Sequence, residues 1–227
     1  MAVQNIINQG QSCCMDKRNI VDNLITVRNL VAYYNIKHNE KASLINIDFK
    51  KAFDMMSHDY LLHVLRKISI PDKITKVIMN LNKNATSRLQ INGNLSEYIK
   101  IERSVRQGCP LSMILFVIGL DPLLEELENK LEGQNIITKN VKILAYADDV
   151  TLIVKSNSEE IKSLEIIKSY CKSSGAEINE QKSTFLSLGM RWVRDSESNI
   201  PETPKIKYLG MIISKNLEEM INENWNN

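Results

Sequence analysis

Two short apolar runs separated by a pair of acids form the clearest pattern in the chain. Residues 143–147 and 150–154 are mostly aliphatic, aromatic and β-branched, which is typical of buried strands. Asp148 and Asp149 lie between the runs, so the pattern predicts a hairpin that bends at these two acids. Adjacent carboxylates repel each other, and Gly or Asn is more usual in such a turn. The pattern therefore indicates a divalent-cation site, with an exposed acidic turn as the alternative.

A second apolar strand ends in an acid about a hundred residues upstream. Leu44, Ile45 and Ile47 would be buried in a sheet, which places Asp48 at the end of the strand. The two segments together supply three carboxylates, the ligand type that Mg²⁺ prefers. A pair of such ions can activate an attacking hydroxyl and neutralise a leaving pyrophosphate. The expected chemistry is nucleotidyl transfer with two Mg²⁺ ions, for which Mn²⁺ could substitute.

The remaining periodicity predicts an α+β arrangement. Ser57 is a candidate N-cap, Asn92-Gly93 a hairpin turn, and Gly175 a left-handed helix stop. Cys171 would face inward with three aliphatic residues of the last long helix. Helices are expected at residues 18–34, 57–70, 72–81, 111–131 and 156–174, and hairpin strands at 88–91 and 95–101. The inward-facing residues of the last helix are expected to be Ile161, Leu164, Ile167 and Cys171.

Five short motifs occur in an order that resembles a known family. They are FKKAFD at 49–54, RQGCPLS at 106–112, YADD at 146–149, a Gly-x-x-x-Asn-x-x-Lys segment at 175–182, and YLG at 208–210. Together they resemble the reverse-transcriptase domain of non-LTR (LINE-type) retrotransposons, over residues 9–210. The RQGCPLS form favours this group, while a relative of group II intron maturases is an alternative.

The resemblance implies roles for the acids and their neighbour. Asp48 and Asp148 match the principal metal ligands, and Asp149 matches the adjoining acid. The main-chain carbonyl of Phe49 would be a further ligand.

Other positions match residues that handle the nucleotide. Phe53 matches a steric gate that excludes a 2′-hydroxyl, although an ordinary core aromatic is the alternative. Gln107 matches a Gln that packs against the incoming nucleotide, and Gly108 matches a Gly that lets the backbone approach the templating pair. Arg106 could reach a phosphate. Lys182 matches a lysine that protonates the leaving pyrophosphate as a general acid.

The resemblance also implies the fold and the activity. The fold would be an α+β polymerase palm, an antiparallel sheet backed by helices, with a partial fingers subdomain. Its divisions would be 1–43 partial fingers, 44–60 palm, 61–104 fingers insertion, 105–214 palm, and 215–227 the start of a connection to a missing thumb. The activity would be RNA-directed DNA polymerisation from dNTPs on an RNA template with a DNA primer. The alternative is a truncated, inactive relic that keeps the palm fold and only binds nucleic acid.

Two residues depart from the pattern of the family that the motifs resemble, and one motif has two interpretations. Ser104 stands where Gly is common before the Val-Arg-Gln-Gly run, and Met113 stands where Pro is common. Both changes could alter loop shape without touching the acids. The Tyr208-Leu209-Gly210 turn would support the primer end or be a plain strand-turn.

Composition narrows the class of protein. The net charge of +2 argues against a uniformly basic surface, so any nucleic-acid contact would need a local stripe. The apolar run at 113–120 is too short to cross a bilayer, and no secretory signal is visible. We therefore expect a soluble intracellular protein without a membrane partner. The four cysteines show no C-x-x-C spacing, which argues against a zinc knuckle or a disulfide framework. The candidate basic stripe comprises Lys17, Arg18, Arg88, Lys100, Arg103 and Arg106.

Overall fold

We describe the fold from a computed structural model, over residues 5–37, 39–82, 85–101, 103–105, 109–136, 138–190, 194 and 198–225. The helices are α1 (Ile20–Ile36), α2 (Ala52–Met55), α3 (His58–Lys67), α4 (Asp72–Asn82), α5 (Pro110–Lys130), α6 (Asn157–Ser174) and α7 (Leu217–Trp225). The strands are β1 (Lys41–Ile47), β2 (Thr86–Ser87), β3 (Gln90–Ile91), β4 (Asn94–Leu95), β5 (Ile99–Lys100), β6 (Gln134–Ile136), β7 (Lys139–Val141), β8 (Ile143–Tyr146), β9 (Asp149–Val154), β10 (Thr184–Gly189), β11 (Lys205–Tyr208) and β12 (Met211–Ser214).

The centre of the fold is a four-stranded antiparallel sheet in the order β10-β1-β9-β8. Alternate residues of a strand point to opposite faces, so each strand contributes to two cores. Ile45 and Ile47 of β1 join a core that also includes residues of α3, α5 and α6. Leu44, on the other face, joins a second core with α1 and the β11–β12 hairpin. The predicted α+β class with an antiparallel sheet backed by helices is confirmed, although both faces of the sheet carry helices.

The local start and stop signals act as the sequence predicts. Ser57 accepts a hydrogen bond from the Tyr60 N–H and caps α3, and Ser156 caps α6 in the same way. Asn92 and Gly93 both have positive φ, at +48° and +84°, and connect β3 to β4. Gly175 ends α6 at a φ of +82°.

The inward face of α6 matches the prediction at Leu164 and Ile167, which are buried, and differs from it at two other positions. Ile161 is 40% exposed and Cys171 is only half-buried, whereas Ile166 and Tyr170 are buried. The face turns because Tyr170 makes edge contacts with two aromatic rings, those of Phe49 and Tyr60, at 6.0 and 5.9 Å between centroids. Helical periodicity alone cannot foresee these contacts, since both partners lie far away in sequence.

None of the helices in the described ranges combines the length and the apolar character needed to cross a membrane.

Candidate active site

The β8–β9 hairpin presents the pair of acids. Tyr146 pairs with Asp149 in the ladder, so the two turn residues are Ala147 and Asp148. The prediction that Asp148 and Asp149 form the bend is therefore wrong by one residue. The backbone explains the shift: Ala147 takes the left-handed position of the turn at a φ of +54°, while Asp149 stays extended and begins β9.

The end of β1 brings the third acid to the same place. Ile47 pairs with Val150, so continuing the register by one residue sets Asp48 across from Asp149. Facing residues of antiparallel strands have Cα atoms roughly 4.5–5.5 Å apart. The predicted meeting of the two acidic segments at one end of the sheet therefore follows from the observed pairing.

A loop after α6 fixes the backbone of Asp48. The Asp48 N–H donates to the Ser183 hydroxyl oxygen at 3.0 Å, and the Asp48 carbonyl accepts from the Asn179 N–H at 2.8 Å. The Ser183 hydroxyl in turn donates to the Asn179 carbonyl at 2.9 Å. Lys182 is exposed and directly precedes Ser183, so it lies on the segment that contacts Asp48.

The acids influence one another electrostatically. Burial raises the pKa of Asp148, and the charge of Asp48 raises it further. Partial desolvation raises the pKa of Asp149, and the charges of Asp148 and Asp48 add to this. Like charges at one site disfavour the ionised forms of the neighbouring carboxylates, and a cation would relieve the repulsion.

The oxygen donors at this site are of the kind that Mg²⁺ prefers. Within the ranges described above, no group of three or more His, Cys, Asp or Glu side chains is arranged to hold a metal ion. The ligand roles of Asp48, Asp148, Asp149 and the Phe49 carbonyl therefore stay predictions.

Two phenylalanines follow Asp48 in the sequence, at positions 49 and 53. Phe49 is 6% exposed and belongs to the core around α5 and α6. Phe53 is half-buried and stacks on Phe116, with ring centroids 4.6 Å apart. This packing fits the core-aromatic interpretation of Phe53, and its exposed part leaves the gate interpretation open as well.

The segment Arg106-Gln107-Gly108 lies outside the described residues, so its predicted nucleotide contacts stay predictions. Val105, directly before it, is fully buried and donates its N–H to the Phe53 carbonyl at 2.9 Å. Ser104 has a φ of +102°. This positive φ gives a physical reason why Gly is common at that position in the family that the motifs resemble.

The Tyr208-Leu209-Gly210 motif forms a tight hairpin turn between β11 and β12. Leu209 and Gly210 have φ values of +46° and +88°, as a two-residue turn requires. Tyr208 is 1% exposed in the second core. Burial raises its pKa, and the charge of Asp149 contributes to the increase. The strand-turn interpretation is supported, and the motif lies within electrostatic reach of the acids.

Two members of the predicted basic stripe donate hydrogen bonds within the protein. The Arg18 guanidinium donates to the carbonyls of Asn8 and Gln11 at 2.7 and 2.8 Å, so it is engaged with the protein. Arg88 likewise donates to the Ser96 carbonyl at 2.7 Å.

A family model described as reverse transcriptase (RNA-dependent DNA polymerase) matches residues 1–213. The chain belongs to the reverse transcriptase family. The resemblance inferred from the five motifs is confirmed, and the acids at the end of the sheet are the residues that carried it.

Several retrotransposon proteins are similar to this reverse-transcriptase chain. The transposon TX1 uncharacterized 149 kDa protein of Xenopus laevis is 30% identical over 92% of the chain and 16% of that protein. A Pol polyprotein from the type-1 retrotransposable element R2 of Popillia japonica is 30% identical over 73% of the chain and 27% of that protein. The chain thus spans about a quarter or less of these two relatives.

Solved structures agree on the fold. Telomerase from Candida tropicalis, in complex with a TWJ fragment of telomeric RNA, superposes with a TM-score of 0.64 at 18% identity. The match covers 91% of this chain and 33% of that telomerase chain. Telomerase from Candida albicans gives a TM-score of 0.58 over 86% of this chain and 33% of that one, at 16% identity.

Sequence reasoning missed several residues that shape the site of this reverse transcriptase. Ser183 and Gln11 are uncharged polar residues outside any regular periodicity, and their site partners lie 135 and 136 residues away. Asn179 lies in the Gly-x-x-x-Asn-x-x-Lys segment, but the motif assigned it no role. That segment is the sequence feature that could have pointed to Asn179 and to the adjacent Ser183, whereas no sequence feature pointed to Gln11.

Proposed function

We propose that this chain is the catalytic core of an RNA-directed DNA polymerase of a non-LTR retrotransposon. The observation that carries the proposal is the meeting of Asp48, at the end of β1, with Asp148 and Asp149 of the β8–β9 hairpin. The chain would join dNTPs to the 3′-hydroxyl of a DNA primer paired with an RNA template. RNA as the kind of partner is supported by the telomerase structures, which are complexes with RNA fragments.

Asp48, Asp148 and Asp149, with the Phe49 carbonyl, would hold two Mg²⁺ ions, for which Mn²⁺ could substitute. The fit rests on the donor chemistry: burial and the charge of Asp48 raise the pKa of Asp148, burial and the charges of Asp148 and Asp48 raise the pKa of Asp149, and a cation would offset these charges. When bound, such ions supply charge neutralisation for the attacking and leaving oxygens.

The protein's own residues would do the rest by positioning. The hydrogen bonds from Ser183 and Asn179 fix the backbone of Asp48 before any substrate arrives. Lys182, on the same segment and exposed, would deliver a proton to the leaving pyrophosphate. Phe53, stacked on Phe116, would exclude a 2′-hydroxyl.

The nucleotide would also contact Arg106, Gln107 and Gly108. We further propose that residues 44–60 and 105–214 form the palm and that 61–104 form a fingers insertion. Residues 1–43 would belong to the fingers.

The test is primer extension on an RNA template with dNTPs and Mg²⁺. The wild-type chain is compared with a variant that carries both Asp148→Asn and Asp149→Asn. We expect the double variant to lose at least about a hundredfold in rate, because transition-state charge would be left unneutralised. A matched control replaces the exposed pair Glu218 and Glu219 of α7 with Gln and should extend like the wild type.

Two outcomes would contradict the proposal. Equal extension by the wild type and the aspartate variant would show that these acids do not carry the reaction. No extension by a folded wild-type chain would favour an inactive relic that retains the fold.

A further inference from the structure

The turn that carries Asp148 contains a strained residue. Ala147 has a φ of +54°, a region that a residue with a Cβ atom rarely adopts. Such a conformation is energetically unfavourable and persists only where the surroundings enforce it. Ala147 is 6% exposed, so the enforcing groups must come from the protein.

Gln11 supplies those groups. Its side-chain oxygen accepts the Ala147 N–H at 3.0 Å, and its side-chain nitrogen donates to the Ala147 carbonyl at 3.2 Å. One amide therefore binds both main-chain groups of the strained residue. Gln11 is fully buried, where water cannot substitute for these bonds.

The backbone of Gln11 is itself held in place. Residues 10–12 run parallel to β8, since the Ala145 N–H donates to the Gly10 carbonyl and the Ser12 N–H donates to the Ala145 carbonyl, at 2.8 and 2.9 Å. The Arg18 guanidinium donates to the Gln11 carbonyl at 2.8 Å. These hydrogen bonds fix the position of the Gln11 backbone relative to β8, so its side chain can hold the turn in place.

We propose that Gln11 is a positioning residue that holds Ala147 in its left-handed conformation and so directs the carboxylates of Asp148 and Asp149. This inference rests on the proposed polymerase function and deepens it. The Gln11 side chain also accepts the N–H of Cys13 at 2.9 Å, and its contact with the turn is through the Ala147 peptide. The role needs both halves of the amide, a donor and an acceptor.

Two substitutions separate hydrogen bonding from packing. Gln11→Met keeps similar bulk and loses both bonds to Ala147, together with the bond that the side chain accepts from the Cys13 N–H. Gln11→Glu keeps nearly the same shape and, when ionised, can only accept, so it faces the Ala147 carbonyl without a donor. The matched control is Gln134→Met, because Gln134 is also buried and accepts from the Tyr34 hydroxyl, away from the turn.

The first readout is hydrogen exchange at the Ala147 amide, which needs no activity. We expect exchange to accelerate at least about tenfold in Gln11→Met, because the acceptor that protects this amide is gone. The amide of Phe185, which donates to the Pro201 carbonyl at 2.9 Å, should not change. Gln134→Met should leave the Ala147 amide at the wild-type rate.

The second readout is the steady-state kinetics of primer extension. We expect both Gln11 variants to lower kcat by about 10- to 100-fold, as small misplacements of catalytic groups do. KM for the primer-template should stay within about threefold, because the Gln11 side chain is fully buried. Adding Ala147→Gly should recover part of the loss in kcat, because Gly adopts positive φ without strain.

Unchanged Ala147 exchange in a folded Gln11→Met protein would overturn the proposal, as would a kcat within about threefold of the wild type in both variants. If Gln11→Met does not fold, the kcat of Gln11→Glu decides the question, because the carboxylate keeps the acceptor for the Ala147 N–H and loses the donor to the Ala147 carbonyl. A folded wild-type chain without extension activity would overturn the proposed function only, and the exchange measurement would still decide the role of Gln11.

Discussion

Replacing Ser104 with Gly should stabilise the fold. Ser104 has a φ of +102°, which disfavours any residue with a Cβ atom. Its conformation is enforced from both sides: its N–H donates to the Met56 carbonyl at 3.0 Å, and the next N–H, of Val105, donates to the Phe53 carbonyl at 2.9 Å. Its carbonyl also lies 2.9 Å from the ring nitrogen Nε2 of His58.

The magnitude follows from three contributions. Relieving the positive φ is worth of order 1–3 kcal/mol. Glycine lowers the free energy of unfolding by about 0.5–1 kcal/mol, because it gives the unfolded chain greater conformational freedom. The serine hydroxyl donates to the Val105 carbonyl at 3.2 Å, and losing this long bond costs at most about 0.5 kcal/mol. The expected net increase in the free energy of unfolding is about 1 kcal/mol.

Urea unfolding measures this change. With a slope of about 2–3 kcal/mol per molar, the midpoint should rise by about 0.3–0.5 M. Ser104→Ala separates the contributions, since it removes the hydroxyl and keeps the Cβ atom, and should lower the midpoint slightly. Ser87→Gly is the matched control at an exposed, extended position of β2, and should destabilise by about 0.5–1 kcal/mol.

A midpoint for Ser104→Gly at or below that of the wild type would refute the reasoning. In that case the conformation at residue 104 stores no strain, and the serine would be neutral for stability.

Three further predictions concern other parts of the chain. Arg194→Ala should lower the free energy of unfolding by about 3–5 kcal/mol, because it removes the positive charge that pairs with the fully buried Glu160 carboxylate. A decrease of less than about 1 kcal/mol would contradict this prediction. Burial raises the pKa of Asp121 from 3.8 to about 6. The contribution of Asp121 to stability is therefore fullest below about pH 4 and is lost as the pH rises through 6. Asp121→Asn should remove this decline, which amounts to up to about 3 kcal/mol, in the free energy of unfolding measured from pH 4 to 7. Phe53→Val should raise the ratio of ribonucleotide to deoxynucleotide incorporation about tenfold or more if the ring is a gate, and an unchanged ratio would exclude that role.

Periodicity and turn chemistry predicted the parts of this fold that depend on neighbouring residues. The strand before Asp48, the hairpin before Val150 and the helix stop at Gly175 all follow from apolar patterns and from residues that accept positive φ. The one-residue shift of the turn to Ala147 was missed, because Ala carries no left-handed preference of its own.

The residues around the acids were harder to predict for a different reason. Ser183, Asn179 and Gln11 act through hydrogen bonds to main-chain atoms that lie more than a hundred residues away. Such contacts form only in the assembled sheet, so no local sequence pattern predicts them. The acids were visible in advance because adjacent carboxylates in an apolar setting have few structural uses.

The pairing of residues 10–12 with β8 has a consequence for how the isolated chain behaves. β8 and β10 are the outer strands of the central sheet, and outer strands offer main-chain groups to which other chains can pair. Gly10 and Ser12 occupy those groups at Ala145, and on the opposite side Phe185 of β10 bonds to Pro201 and Thr203. At Ala145 and Phe185, therefore, the chain itself pairs with the outer strands, which removes those main-chain groups from edge-to-edge aggregation.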